Sequence, residues 1–221
     1  GNRDKDYNVE VHAVNEVMKE MLQDLGIPSI FPRDYEADDV ISIINNVECK
    51  NSTVQFYKTK KLFKHIIVTV DRDLCQLINN NVSVYDPIRK YEINSENFEE
   101  KLKYKKSDFI KVKALQGDKS DNIPGIKGMG KVKTEKFLNG EVTLTEDEKE
   151  IYNKNLELVK LTEDKDEVEY VTNQMYECSF ETNFDNFKSN CEKYKFAQIL
   201  KNESKWYNTF FQDNRLLDLL S

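Results

Sequence analysis

The run His65-Ile-Ile-Val-Thr-Val70 constrains this chain more than any other feature, because it ends abruptly in Asp71-Arg72-Asp73. β-Branched side chains fit a pleated surface, and an unbroken apolar run without alternation suits a strand buried on both faces. Such strands belong to parallel sheets covered by helices, and the flanking segments agree. Val11, Val14, Met18, Met21, Leu22 and Leu25 recur at helical spacing until Gly26 and Pro28 stop the run. Ile27 to Phe31 reads as a short strand and residues 34–39 as a loop, after which Val40, Ile41, Ile43 and Ile44 begin a second helix. A helix from Leu74 to Ile78 and a strand at Val82-Ser-Val-Tyr85 follow. Strands alternating with helices predict an α/β fold, a parallel sheet flanked by helices.

Beyond Lys101 the pattern becomes helical. Ser107 reads as an N-cap before a helix from Phe109 to Leu115, and a Gly-rich turn separates it from a helix at Val132 to Leu138. Thr145-x-x-Glu148 is a capping box opening a helix through Ile151, Leu156 and Val159. The Asn/Lys/Glu-rich remainder predicts further short helices. The expected division is therefore an α/β core over residues 1–105 and a helical region over residues 106–221. Trp206, Phe210 and Phe211 are expected to pack in a core, and His12 and His65 to be structural. Gln212 to Leu220 reads as a final packed helix, with docking to a sliding clamp or a single-strand-binding protein as the alternative.

The net charge of -7 looks unsuited to a polyanion, but it averages over patches. Eleven lysines lie between Lys101 and Phe137, opposed only by Asp108, Asp118, Asp121 and Glu135. A basic patch offset by acidic clusters elsewhere suits a metal-dependent enzyme acting on a polyanion. The four cysteines are far apart and show no CxxC pairing. A disulfide framework or zinc site is not expected, and a reducing cytoplasm is. No stretch approaches the roughly 18 apolar residues of a membrane span. The chain opens with Gly1 rather than methionine, as a processed product or a fragment would.

Three acidic groups stand where an α/β sheet presents side chains together. They are Glu36, Asp38 and Asp39 at the mouth of a helix, Asp71 and Asp73 after the buried strand, and Asp118 and Asp121 after another helix. Open α/β sheets bind ligands at the carboxyl ends of their strands. The i, i+2 spacing lets Asp71 and Asp73 turn toward one point, and the i, i+3 spacing places Asp118 and Asp121 on one helical face. Carboxylates crowded into one cleft repel one another unless cations join them. Oxygen donors without His or Cys favour Mg²⁺ or Mn²⁺. Two such ions about 4 Å apart can activate water against a phosphodiester.

The stretch GDKSDNIPGIKGMGKVKTEKFL follows. Gly125, Gly128 and Gly130 permit a tight turn whose amides approach phosphate closely, and Lys127, Lys131 and Lys133 add charge without reading bases. Such a turn holds a duplex by its backbone, and its carbonyls suit a monovalent cation.

At these residues the chain resembles a known family. YEADDV, VTVDRDLCQLI and LQGDKSDNIPGIKGMGKVKTEKFL are similar, in order and spacing, to motifs of the 5′ nucleases. These include phage flap endonucleases, the ribonuclease H of T-even phages and the 5′ nuclease domain of bacterial DNA polymerase I. The resemblance runs from Gly1 to Val159 and implies a PIN-like core followed by a helix-3-turn-helix region. It also implies a 5′–3′ exonuclease and flap endonuclease acting on DNA at single-strand/duplex junctions and on RNA–DNA hybrids, for primer removal. Glu36, Asp38 and Asp39 would serve one Mg²⁺ site. Asp71, Asp73 and Asp121, with Asp118 nearby, would serve the other. The turn from Gly125 to Lys133 would grip duplex with K⁺, and Arg3 would contact the scissile phosphate, giving Arg3, Asp38 and Asp71 catalytic roles.

The family also carries an upstream segment with two further Asp-bearing strands and an arch lysine, which this sequence does not contain. A non-catalytic DNA-binding fragment is therefore the alternative. A PIN-type ribonuclease shares the acidic core, but the Gly125–Gly130 turn argues against it.

Overall fold

The computed structural model describes residues 5–50, 64–162 and 164–211. The elements in chain order are α1 (Lys5–Asp24), α2 (Ala37–Lys50), β1 (His65–Val68), β2 (Val82–Asp86), β3 (Tyr91–Ile93), α3 (Phe98–Leu102) and α4 (Phe109–Gln116). They continue with β4 (Gly117–Asp118), β5 (Ile123–Pro124), α5 (Lys131–Leu138), α6 (Glu146–Val159), α7 (Lys165–Glu177), α8 (Phe184–Lys193), α9 (Ala197–Lys201) and α10 (Glu203–Phe210). The chain forms two compact units, one of Gly1–Arg33, Thr53–Lys60 and Asp166–Ser221, the other of Asp34–Ser52 and Lys61–Lys165.

The second unit holds the sheet and most of the expected site. β1 runs parallel to β2, pairing His65 with Val82 and Val68 with Tyr85. β3 returns antiparallel, pairing Val84 with Ile93. The α/β class stands, while the sheet is mixed. Its hairpin was missed because the turn is built on one side chain rather than on a Gly motif. Asp86 accepts the amides of Ile88 at 3.0 Å and Arg89 at 2.8 Å, and the Arg89 guanidinium at 2.7 Å. These bonds hold the Asp86 carboxyl below its ordinary value, the Arg89 amide contributing most.

β1 departs from the expected two-sided burial. Ile67 packs on a core of Cys75, Ile78, Val84, Ile93, Phe98, Leu102 and Phe109, but Ile66 is 59% and Val68 64% exposed. Among the described residues β1 pairs only with β2, which leaves its other edge without a strand, and the face bearing Ile66 and Val68 is exposed. Leu74 to Ile78 is a 3-10 turn, Asp73–Leu77, rather than a helix.

The division expected at 105/106 passes through the core just named, where Phe98 and Phe109 meet edge to face at 5.7 Å. Ser107 lies in a 3-10 turn, Lys106–Asp108, and Asp108 is the N-cap of α4. The Thr145 capping box forms as expected: Thr145 N–H donates to Glu148 at 2.9 Å, and Glu148 N–H to the Thr145 hydroxyl at 3.3 Å.

In the first unit, Met21 of α1 and Leu25 just after it bury against Phe187 and Cys191 of α8. Trp206, Phe210 and Phe211 pack on that cluster, as expected. Ile27 to Phe31 is not a strand. Pro28 offers no N–H, and the amide and carbonyl of Phe31 are taken by the side chain of Gln174, at 3.1 and 2.7 Å. Among the described residues, no helix is long and apolar enough to cross a membrane. Cys75, Cys178 and Cys191 are free thiols, and burial pushes Cys75 up to about 11.

Candidate metal centre

The site begins where α4 stops. Gly117, at φ +79°, takes a left-handed conformation that other residues adopt at a cost, and it turns the chain out of the helix. Gly117 and Asp118 then pair with Ile123 and Pro124 in a two-residue antiparallel ladder. Asp118 and Asp121 therefore face each other across a hairpin tip and not along a helical face. Buried Asn155 fixes the arrangement from α6, its amide donating to the carbonyls of Ala114 at 2.9 Å and Pro124 at 2.8 Å. The i, i+3 reading failed because it extended the helix past a glycine.

Asp73, at the start of the 3-10 turn after β1, completes the group. Each of Asp73, Asp118 and Asp121 offers an oxygen within 4.8 Å of the others. Among the described residues this is the one such cluster of acidic, His or Cys side chains. Asp73 N–H donates to Asp71 at 2.8 Å, and Asp71 N–H to the Thr69 hydroxyl at 3.0 Å. The strand end is thus folded on itself by its own carboxylates.

Lys113, on α4, bonds both Asp73 and Asp118, the latter at 2.6 Å. Sequence reasoning counted it only within the basic patch. Its i−5 offset from Asp118 carries no motif, and only the helix end brings the two together. Burial alone would raise the Asp118 carboxyl. Hydrogen bonds from Lys113 and from the Ser120 hydroxyl and amide outweigh it and hold the group at about 2. An all-oxygen donor set that already draws a cationic ammonium fits a hard divalent ion.

The other acidic residues are arranged differently. In the first turn of α2, Asp38 is pushed above its ordinary value, first by burial and then by the charges of Asp39 and Asp71. Asp39 has both oxygens engaged, one accepting Glu36 N–H at 3.3 Å and the other Thr162 N–H at 2.7 Å. Glu36 is exposed. Glu36, Asp38, Asp39 and Asp71 are not gathered as closely as the Asp73 group. Arg3 lies outside the described residues, as do Gln212 to Leu220 and the side chain of His12.

The glycine-lysine turn closes the site's other flank. A Cβ on Gly125 would meet the Gln116 carbonyl at 2.1 Å, so only glycine lets this strand pass the end of α4. Gly128, at φ +78°, also requires glycine, whereas Gly130 is extended and a Cβ there meets nothing. Ile126 and Met129 anchor the turn on Leu115 and Leu144. Lys127 and Lys131 are exposed, while Lys133 bonds Glu148 at 3.1 Å and so shares its charge with the α6 cap.

The chain is similar to known proteins. The family model for the 5′-3′ exonuclease N-terminal, resolvase-like domain matches residues 2–103. A 5′-3′ exonuclease of Buchnera aphidicola (subsp. Acyrthosiphon pisum) is 33% identical over 141 residues, 64% of this chain and 44% of its own length. A DNA polymerase I of Caldicellulosiruptor bescii is 36% identical over 149 residues, 65% of this chain and 16% of its own length. The chain thus spans less than half the length of either relative. A bacteriophage T5 flap endonuclease, solved with DNA and metal ions, superposes at TM-score 0.58 with 19% identity, covering 81% of this chain and 74% of that one.

Proposed function

We propose, since this chain belongs to the 5′ nuclease family, that it serves the metal-dependent hydrolysis of DNA phosphodiesters. Its substrates are single-strand/duplex junctions, cut as a 5′–3′ exonuclease and flap endonuclease, with RNA in RNA–DNA hybrids cut during primer removal. The observation that carries this reading is the convergence of Asp73, Asp118 and Asp121 within 4.8 Å, on the same unit as the turn at residues 125–130. The relatives' activities, and the DNA and metal ions bound by the phage enzyme, agree with it.

Mg²⁺, when bound, would lower the pKa of a coordinated water and neutralise charge developing on the phosphate oxygens. The three aspartates would hold that cation, and Asn155 keeps the hairpin bearing two of them in place. Asp38, half-buried in the first turn of α2 beside Asp39, would add a carboxylate to the second acidic group. Lys127 and Lys131 stand beside the open faces of Gly128 and Gly130, where phosphates can approach amides at the start of α5. Carbonyls of the same turn suit K⁺.

A 5′-flap substrate with Mg²⁺ tests the reading. Asp73→Asn and Asp121→Ala should each lower cleavage by more than about 100-fold, with duplex binding little changed. Equal loss of binding would overturn the division of labour. One observation favours a second reading, a duplex-binding module without turnover: Asp39, of the other acidic group, spends both carboxylate oxygens on backbone amides. Duplex binding without cleavage by the unsubstituted chain would select that reading.

A further inference from the structure

We propose that Lys113 is an internal counter-ion of the metal centre, occupying the carboxylates in the metal-free protein and leaving them when a divalent cation binds. The inference rests on the metal reading above and adds a function for a residue that reading does not use. The Lys113 ammonium is the cation shared by two of the three clustered aspartates, and its side chain is only 16% exposed. Three carboxylates so close repel one another, and unrelieved they would splay the hairpin from the strand end. An ammonium on Asp73 and Asp118 relieves this without a metal.

It also lies where a bound ion would draw the same oxygens inward. A divalent cation and an ammonium cannot both sit between one pair of carboxylates at bonding distance, so binding one displaces the other. The stem is long enough to swing clear. The Phe109 ring, one helical turn back, has its centroid 5.9 Å from the ammonium and offers the displaced group a face. The lysine thus keeps the site assembled when empty and sets a threshold that the cation must exceed. It is a positioning residue, since it acts through the aspartates.

The test compares the unsubstituted chain with Lys113→Gln and Lys113→Arg. Mn²⁺ binding is read from the free-ion electron paramagnetic resonance signal, and thermal unfolding is followed in EDTA and in saturating Mn²⁺. With the competitor removed, Lys113→Gln should bind Mn²⁺ on the order of 10-fold more tightly, within the usual range for two coupled ligands. It should melt lower in EDTA, and the gap should close in Mn²⁺. Lys113→Arg should retain the EDTA melting point.

Should Lys113→Gln not fold without metal, the unsubstituted protein decides. Acylation of the Lys113 amine, mapped by mass spectrometry, should rise several-fold when Mn²⁺ is added. Unchanged or weaker Mn²⁺ binding by Lys113→Gln, or acylation indifferent to Mn²⁺, would overturn the counter-ion role and leave the metal site standing. Absence of any Mn²⁺ binding that Asp118→Asn abolishes would overturn the metal site and the counter-ion together.

Discussion

The three turn glycines read alike as letters, yet they do different work. Gly125 is demanded by the Gln116 carbonyl 2.1 Å from any added Cβ, Gly128 by its positive φ, and Gly130 by neither. Urea unfolding should therefore rank them. Gly125→Ala is expected to cost on the order of 3 kcal/mol or more, because backbone rather than a flexible side chain must yield. Gly128→Ala should cost about 1–2 kcal/mol, and Gly130→Ala should stay within about 0.5 kcal/mol. Asp73, Asp118 and Asp121 were legible as candidates because they stand in the stretches VTVDRDL and LQGDKSD, which resemble 5′ nuclease motifs. Their individual partners were not, since Lys113 and Thr162 reach Asp118 and Asp39 through folded geometry rather than through spacing. Lys127 and Lys131 offer a separate check. Replacing both with Ala should weaken duplex binding and flatten its logarithmic salt dependence by about one per lysine.

Elements were legible where their signals are local. The α6 capping box stood in four letters and is present in full, so Thr145→Ala should lower stability by about 1 kcal/mol in chemical unfolding. Its partner Glu148 titrates below its ordinary value, chiefly through the Thr145 amide and then Lys133. A carboxyl depressed by folding stabilises above its unfolded pKa, so this contribution is complete above about pH 4.5 and fades as pH falls through the lower folded value. Thr145→Ala removes part of that depression, so its melting temperature should fall less steeply on acidification below pH 4.5 than the parent's. Elements set by tertiary partners escaped notice. The β2–β3 turn rests on Asp86 instead of an Asn-Gly pair, and the expected strand at Ile27 lost its backbone partners to Gln174. Glycine at 117 ended α4 early enough to convert a helical pair of aspartates into a hairpin pair.

Across the whole molecule, the class of fold was visible and the partition was not. Periodicity reports which face of an element is apolar, but not which elements share a core. Phe98 and Phe109 join segments that the change from alternating strands and helices to helices alone had assigned to different domains. Likewise the first helix and the last aromatic residues, far apart in sequence, form one cluster. The apolar run that opened the reading has a further outcome. A strand such as β1, paired along one edge only among the described residues, is a template on which a like strand of another molecule can add, and greasy residues beside it favour the addition. This chain should consequently self-associate as it is concentrated, with little response to salt. Val68→Lys should raise the concentration at which light scattering sets in, while leaving the metal-holding hairpin untouched. Purified protein would then be kept monomeric by dilution more than by ionic strength.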